Sequence, residues 1–306
     1  MALTYGEISS ITQKLYIPKL VDNIFASNAL LNRWRKKAYR LEGGGTSIMQ
    51  PLLYATTTAS GWYTGSASLS TTSNDQITAA EFNWRQIYGN ITITRTDELK
   101  NSGKEQVINF VKAKVQACEK TVADSLGTGL FNAGTTTDAI EGLRLACAGT
   151  GSTYGGISKT TYSWWRGQTD ATSTAFTLPV FQALFGDCTV DNDRPTVAVT
   201  TQDIYDDVYG TLQPQQRFTD KTTANGGFTN ILLNGIPIIV DSHCPQYYMF
   251  LLNENYLEIV AHRDENFRFE PFIKPVNQNV STAKVYWAGN LTCSNARMQG
   301  MFSALA

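Results

Sequence analysis

NILLNGIPIIVD, residues 230–241, sets two apolar runs around an Asn-Gly pair. Asn234-Gly235 is the strongest short-range hairpin signal, because both central residues of a type I′ turn need positive φ. The stretch reads as two paired strands, and its surroundings extend the pattern. Upstream, PTVAVTTQDIYDDVYG (195–210) reads as a buried strand followed by a helix starting near Thr201. TLPVFQALFGD (177–187) reads as a helix with Thr177 capping and Pro179 in the first turn. Downstream, QYYMFLLNENYLEIVAH (246–262) gives two strands across a turn at Asn253 to Asn255. The chain closes with NFRFEPF, the strand AKVYWAGNLTCSN and ARMQGMFSAL. The fold class is α+β, with strands in several separate groups and no internal repeat.

The N-terminal half is patterned differently. Over residues 5–42, Leu20, Ile24, Leu30, Leu31 and Trp34 follow one helical face, with Pro18 near its start. The stretch ends in Arg33, Arg35, Lys36, Lys37 and Arg40, the densest basic run of the chain. It can meet nucleic acid or an acidic partner, or be a solvated face whose cations favour a helix C-terminus. Gly43 to Gly45 break the helix. From Gly43 to Thr94 the only charges are Asp75, Glu81 and Arg85. SIMQPLLY (47–54) and EFNWRQIYGNITIT (81–94) read as two long antiparallel strands around a long Ser/Thr/Gly tip. So long a loop is unusual inside a compact domain. Trp62, Tyr63 and Leu69 near its tip favour packing against something else, because disordered tips are poor in such residues.

Ser102 and Glu105 then stand in capping-box spacing, and Val107, Val111, Val115, Cys118, Val122 and Leu126 trace one stripe. A helix from Ser102 to Leu126, ended by Gly127 and Gly129, is about 37 Å long. Such a helix serves as a spine for other elements.

Composition narrows the function. The chain has 306 residues, 42% apolar, 17% charged, with formal net charge −1. The low charge and abundant aromatics suit extensive protein–protein burial, or a β-rich protein with uncharged loops. No global basic field draws nucleic acid. Five widely spaced cysteines, Cys118, Cys147, Cys188, Cys244 and Cys293, argue against a zinc site and a disulfide framework, and fit a reducing compartment. No signal peptide or membrane-length apolar run is seen.

YGGISKTTYSWWRG (154–167) looks faintly like a phosphate-binding loop. In a P-loop the lysine follows the last glycine directly, whereas here Ile157 and Ser158 separate Gly156 from Lys159. The stretch reads instead as a glycine-hinged connection, with Trp164 and Trp165 as packing anchors. Only two histidines, His243 and His262, are available for a metal cluster or a triad. Cys244 adjoins His243, and neighbours on a strand face opposite ways. Asp191/Asp193 and Asp206/Asp207 lack calcium-loop spacing and read as solvated carboxylates. No catalytic residue, cofactor or metal site is assigned.

The order of these elements resembles the major capsid proteins of tailed bacteriophages, which share the Hong Kong 97-like fold. YGGISKTTYSWWRG is similar to the segment following their spine helix. NILLNGIPIIVD with YYMFLLNENYLEI resembles their G-I-P-x-x-x-D strand and the strand-and-turn behind it. WAGNLTCSNARMQGMFSAL resembles their C-terminal end. The resemblance covers nearly the whole chain. It implies an N-terminal arm (1–45), an extended loop (46–95), a peripheral domain (96–135 and 253–290) and an axial domain (136–252 and 291–306). It further implies hexamers and pentamers of an icosahedral shell around double-stranded DNA, in a virion assembled in the host cytoplasm. Implied partners are further copies of the chain, a portal and a decoration protein, with non-specific DNA contact and no membrane. Trp62, Tyr63, Leu69, Trp164 and Trp165 become candidate inter-subunit contacts. Arg33, Arg35, Lys36, Lys37 and Arg40 become candidate arm contacts to DNA or a neighbour. Some family members weld their shells through a lysine on the extended loop. Here no lysine lies between Lys37 and Lys100, so no loop-lysine crosslink is expected. No long scaffolding segment precedes the arm, so a separate scaffolding protein is expected. The competing readings are an encapsulin shell of the same fold, a hydrolase using His243 or His262, and a tail or adaptor protein.

Overall fold

The computed structural model describes residues 28–96, 104–136, 138–172, 175–212 and 231–305. The elements, in chain order, begin with α1 (Ala29–Lys37), β1 (Tyr39–Glu42), β2 (Ile48–Leu53), β3 (Ile77–Phe82) and β4 (Arg85–Thr94). The spine helix α2 (Lys104–Leu130), the short α3 (Leu143–Ala146), β5 (Thr153–Tyr154), β6 (Ile157–Ser158) and β7 (Gln168–Asp170) follow. Next come α4 (Leu178–Asp187), β8 (Val197–Thr200), α5 (Gln202–Leu212), β9 (Ile231–Leu233), β10 (Ile236–Val240) and β11 (Met249–Leu252). The last strands are β12 (Leu257–His262), β13 (Arg268–Ile273), β14 (Val280–Cys293) and β15 (Gly300–Phe302).

Asn234 and Gly235 take φ of 51° and 78°, and β9 pairs antiparallel with β10 as the Asn-Gly turn requires. This hairpin edges a six-stranded sheet of order β7-β15-β11-β8-β10-β9. Its apolar runs are buried on both faces. Ala198, Ile236, Ile238, Met249 and Leu251 share a core with Phe181 and Phe185 of α4 and Ile204 and Val208 of α5. Val197, Val199, Ile239, Phe250 and Leu252, on the opposite parity, join the larger core with α1 and α2. α4 starts at the capping position Thr177, with Pro179 in its first turn.

The second sheet has five strands. β14 pairs with β4 along one edge, and with β13 and then β12 along the other; β1 lies parallel to β12. β11 and β12 are therefore consecutive in sequence but belong to different sheets, joined by the short turn Glu254–Tyr256.

Three sequence expectations change. The helix over 5–42 is confined, within the described residues, to Ala29–Lys37; Pro18, Leu20 and Ile24 lie outside them. Asn28 is extended at φ −119°, and its side chain accepts the Leu31 N–H, so a helix begins there. Residues 39–42, read as helix, are strand β1. The run 81–94 is not one strand: it breaks at Asn83 and Trp84, and β4 leaves the hairpin for β14. The sheet offers Ile91 and Ile93 a buried face, which a free ribbon cannot. Finally, Gly127 and Gly129 do not end the spine helix, which runs on to Leu130. A Cβ on Gly127 would lie 2.8 Å from the His243 ring and one on Gly129 3.2 Å from Ile140, so these glycines permit close approach. Val115, Cys118, Val122 and Leu126 form the expected buried stripe. Ser102 and the side chains of Glu105, Val107 and Val111 lie outside the described residues.

Candidate functional site

β2 and β3 form a two-stranded ribbon in register from Ile48↔Phe82 to Leu53↔Ile77. Opposite residues share a face, so the ribbon has an inner and an outer side. Ile48, Leu52, Ala80 and Phe82 are buried on the inner side. Met49, Leu53 and Ile77 stand on the outer side at 61%, 74% and 73% exposure. Beyond them, residues 54–76 carry Trp62, Tyr63 and Leu69, all exposed, and a single charge, Asp75. The ribbon's edges also differ. Tyr54 N–H donates to Gln76 O at 3.0 Å, which fixes the hydrogen-bonding parity. Positions 49, 51 and 53 therefore face outward from β2, and Pro51 has no N–H to offer there. On β3 the outward N–H of Glu81 is taken by Gly155 O at 2.9 Å, while Ile77 and Ala79 face outward beyond it.

Gly155 belongs to the stretch that looked like a phosphate loop. β5 and β6 pair around Gly155 and Gly156, at φ of 55° and 72°, and the hairpin seats the base of the ribbon. A Cβ at Gly155 would fall 2.8 Å from Phe82 Cζ and 2.9 Å from Ala80 Cβ. Phe82 meets Tyr154 edge-on at 5.1 Å, and Tyr154 stacks on Trp165 at 6.1 Å. Trp165 Nε1 donates to Tyr154 O at 3.0 Å, and the Tyr154 hydroxyl donates to Leu291 O at 3.1 Å. Trp164 is half-buried and stacks on Tyr54, where the ribbon opens into its tip, at 5.2 Å.

Lys159 points away from solvent. Its Nζ donates to Ala146 O at 2.7 Å, at the end of α3, and to Ala148 O at 2.9 Å, which also accepts the Gly167 N–H. Burial lowers its pKa to about 8. A lysine so placed cannot reach a phosphate, and this removes the nucleotide reading on geometry as well as on spacing. Trp165, at 1% exposure, is spent in the protomer's own core and has no area to offer a neighbour. The inter-subunit expectation narrows to Trp164 and to Trp62, Tyr63 and Leu69. Tyr54, Met49, Ile77 and Gly155 were not singled out in the sequence. The parity of 49 and 77 about the strand pair was the signal that could have found two of them.

No family model matches the chain, and no curated protein sequence matches it. Solved structures do. The cyanophage A-1(L) capsid asymmetric unit superposes with TM-score 0.65 at 18% identity, over 90% of this chain and 92% of that one. The capsid of a native GTA particle gives 0.60 at 14% identity, over 89% of each chain. The SrpI encapsulin of Synechococcus elongatus gives 0.55 at 9% identity, over 89% of this chain and 86% of that one. The chain has the Hong Kong 97-like capsid fold.

In this capsid fold the basic run is largely neutralised within the chain. Arg33 grips Glu254 with two bonds, at 2.5 and 2.8 Å, and Lys37 adds a third at 3.3 Å. The Glu254 side chain is 3% exposed. Burial alone raises its pKa, but Arg33, Lys37 and Thr196 outweigh that and hold it below the usual glutamate value. Arg40 pairs with Glu42 at 2.8 Å and Glu258 at 3.3 Å. Arg35 lies near the buried Tyr39 hydroxyl, and Lys36 is exposed. Glu254 sits in the turn between the two sheets, so in this chain α1 pins their junction.

Other candidate groups also bond within the chain. Asp193 accepts bonds from Asn253 Nδ2 at 2.7 Å and from the Tyr256 hydroxyl, again at the junction. Asp206 accepts from Gln202 on α5. His262 Nδ1 accepts the Asp264 N–H, and its ring meets Trp84 edge-on at 5.4 Å. All five cysteines are free and buried. Among the described residues, no three His, Cys, Asp or Glu side chains form a metal-binding group.

Proposed function

We propose that this chain is the major capsid protein of a tailed-phage-type particle, assembling into hexamers and pentamers of a closed icosahedral shell around double-stranded DNA. The observation that carries the reading is the ribbon β2–β3. An isolated two-stranded hairpin is marginal in water, yet this one leaves Met49, Leu53 and Ile77 bare on one side. A second copy of the chain supplies the covering surface, with the tip residues Trp62, Tyr63 and Leu69 in the same contact. The near-neutral chain, at net charge −1, lets many copies sit together without large mutual repulsion. The five-stranded sheet with α2 then corresponds to the peripheral domain and the six-stranded sheet with α4 and α5 to the axial domain. The role is structural, with no catalytic step. A scaffolding protein, a portal and a decoration protein are the expected partners. Lys36, which is exposed, is the arm cation best placed for contact with DNA or a neighbour, because Arg33, Lys37 and Arg40 are engaged by carboxylates of the same chain.

Electron microscopy of the expressed full chain, alone and with a scaffold, tests this. Rings, tubes or icosahedra are expected, with nuclease-protected DNA in particles from a packaging host. A protein that stays monomeric under both conditions overturns it. The likeness to the SrpI encapsulin supports one alternative, a shell that encloses protein cargo. Particles holding protein and no protected DNA select it.

A further inference from the structure

His243 stands where three elements meet, and its two ring nitrogens face partners with incompatible demands. Its side chain is 14% exposed. Nε2 lies 2.9 Å from Asp124 Oδ1, on the solvent side of the spine helix α2. Nδ1 lies 3.1 Å from Asp241 Oδ1 and 3.3 Å from Asn28 Nδ2. Asp241 is 2% exposed, and it also accepts the His243 N–H at 2.9 Å and the Leu30 N–H at 3.3 Å. The face of α2 against the ring is Gly127, where a Cβ would lie 2.8 Å from ring atoms and 2.5 Å from Asn28 Nδ2. Asp124, Asp241 and Asn28 are the charged and polar groups recorded against this ring among the described residues.

The orientation of the Asn28 amide is settled by its other bond. Its Oδ1 caps α1 by accepting the Leu31 N–H at 3.0 Å, so the group facing the imidazole is the Nδ2 donor. Neutral His243 with its proton on Nε2 donates to Asp124 and accepts from Asn28. Its Nδ1 lone pair then opposes the Asp241 carboxylate. When Nδ1 takes a proton, it donates to Asp241 and the ring cation lies between two carboxylates. The Asn28 amide then meets an N–H, donor against donor. One proton therefore decides whether the helix cap or the buried carboxylate is the partner.

We propose that His243 is a proton-operated catch between the spine helix and the arm helix. Neutral, it holds the Asn28 cap and with it the first turn of α1. Protonated, it transfers its hold to Asp241 and releases Asn28. This inference rests on bonds within one protomer and not on the shell reading.

The chain has two histidines, so His262→Gln leaves one imidazole to follow by nitrogen NMR. With the full chain titrated from pH 8 to pH 5, the Nε2–H form should convert to imidazolium. The Leu31 amide should lose exchange protection, after correction for intrinsic rates, with the same midpoint, while the Leu30 amide bonded to Asp241 keeps its protection. Asp124→Asn removes an exposed carboxylate without touching the core and should lower that midpoint. Asn28→Ala removes the competing donor and should raise it. A ring that keeps one protonation state across this range overturns the catch, as does a titration that leaves Leu31 protection unchanged. Midpoints that do not move in the two variants also overturn it.

Discussion

Glu254 shows how much a single side chain carries here. It accepts two bonds from Arg33, one from Lys37 and one from Thr196 while almost wholly buried. Truncating one partner of such a pair leaves the other uncompensated. Arg33 keeps 27% of its side-chain area in water, which tempers the loss. Glu254→Ala should therefore cost about 2–3 kcal/mol in urea unfolding, and Glu254→Gln somewhat less. The pH dependence follows from the sign of the shift. A carboxyl held below its ordinary value of 4.5 contributes stability above that pH, lost as pH falls through the folded-state value. Acid unfolding should be shallower in Glu254→Gln, and identical acid limbs would count against this assignment. Glu254 could not be picked from the sequence, because nothing local marks it as the partner of residues about 220 positions earlier. The basic run was legible, and its solvated-face reading misses only that the fold brings a buried carboxylate to it.

At the scale of elements, the socket 154–167 and the ribbon it holds make opposite predictions. Gly155 has φ of 55° and no room for a Cβ beside Phe82. Gly155→Ala combines left-handed strain with overpacking and should destabilise by about 2–4 kcal/mol. Proteolysis within residues 54–76 should accelerate in parallel, since the ribbon loses its seat. Trp165→Ala, which empties a fully buried site, should cost about 3–5 kcal/mol. By contrast, Trp62→Ala and Leu69→Ala change exposed side chains and should change the protomer's stability by less than about 0.5 kcal/mol. If the ribbon tip packs on a second copy, the same two changes should abolish or slow particle formation by light scattering. Normal assembly in the double variant would remove the tip from the contact. β2 was legible as an apolar run, but β3 was not: only Glu81 and Phe82 of it fall in the run 81–94 that reads as the partner strand. The rest of that run, β4, reads as the ribbon's second strand until β14 is there to pair with it.

For the whole molecule, buried ionisable groups set the alkaline limit. Burial raises the Cys188 and Cys293 thiols from 9.0 to about 12, and raises Cys147 and Cys244 as well. An acid whose folded value is raised contributes stability below its unfolded value and loses it as pH climbs toward the folded one. Three units correspond to about 4 kcal/mol for each such thiol. Lys159, lowered from 10.5 to about 8, works the other way: the unfolded chain binds its proton more tightly, so stability rises between those values by about 3 kcal/mol. Several thiols outweigh one lysine. The unfolding midpoint should hold or rise from pH 8 to 9, then fall steeply beyond pH 10. Lys159→Met should lose the rise and keep the fall. A midpoint that stays flat from pH 9 to 11 would refute the buried-thiol account.

By itself, the sequence determined the local elements that nearest neighbours along the chain control. Asn234-Gly235 turns because both residues tolerate positive φ, Thr177 and Pro179 start a helix, and the stripe from Val115 to Leu126 makes a buried helical face. It also excluded a P-loop by lysine spacing. The tertiary structure alone decided where each element ends and what it touches. Gly127 lies inside a helix instead of ending it, and its missing Cβ leaves the space that the His243 ring occupies. Lys159 turns inward because the Ala146 and Ala148 carbonyls accept its ammonium there. Residues 39–42 become a strand because β12 offers a parallel edge. In each case the deciding group lies outside the element itself, from about a dozen positions away for Lys159 to more than a hundred for Gly127. Turn and helix propensities are properties of a few adjacent residues, whereas contact, burial and charge pairing exist only once the chain has closed on itself.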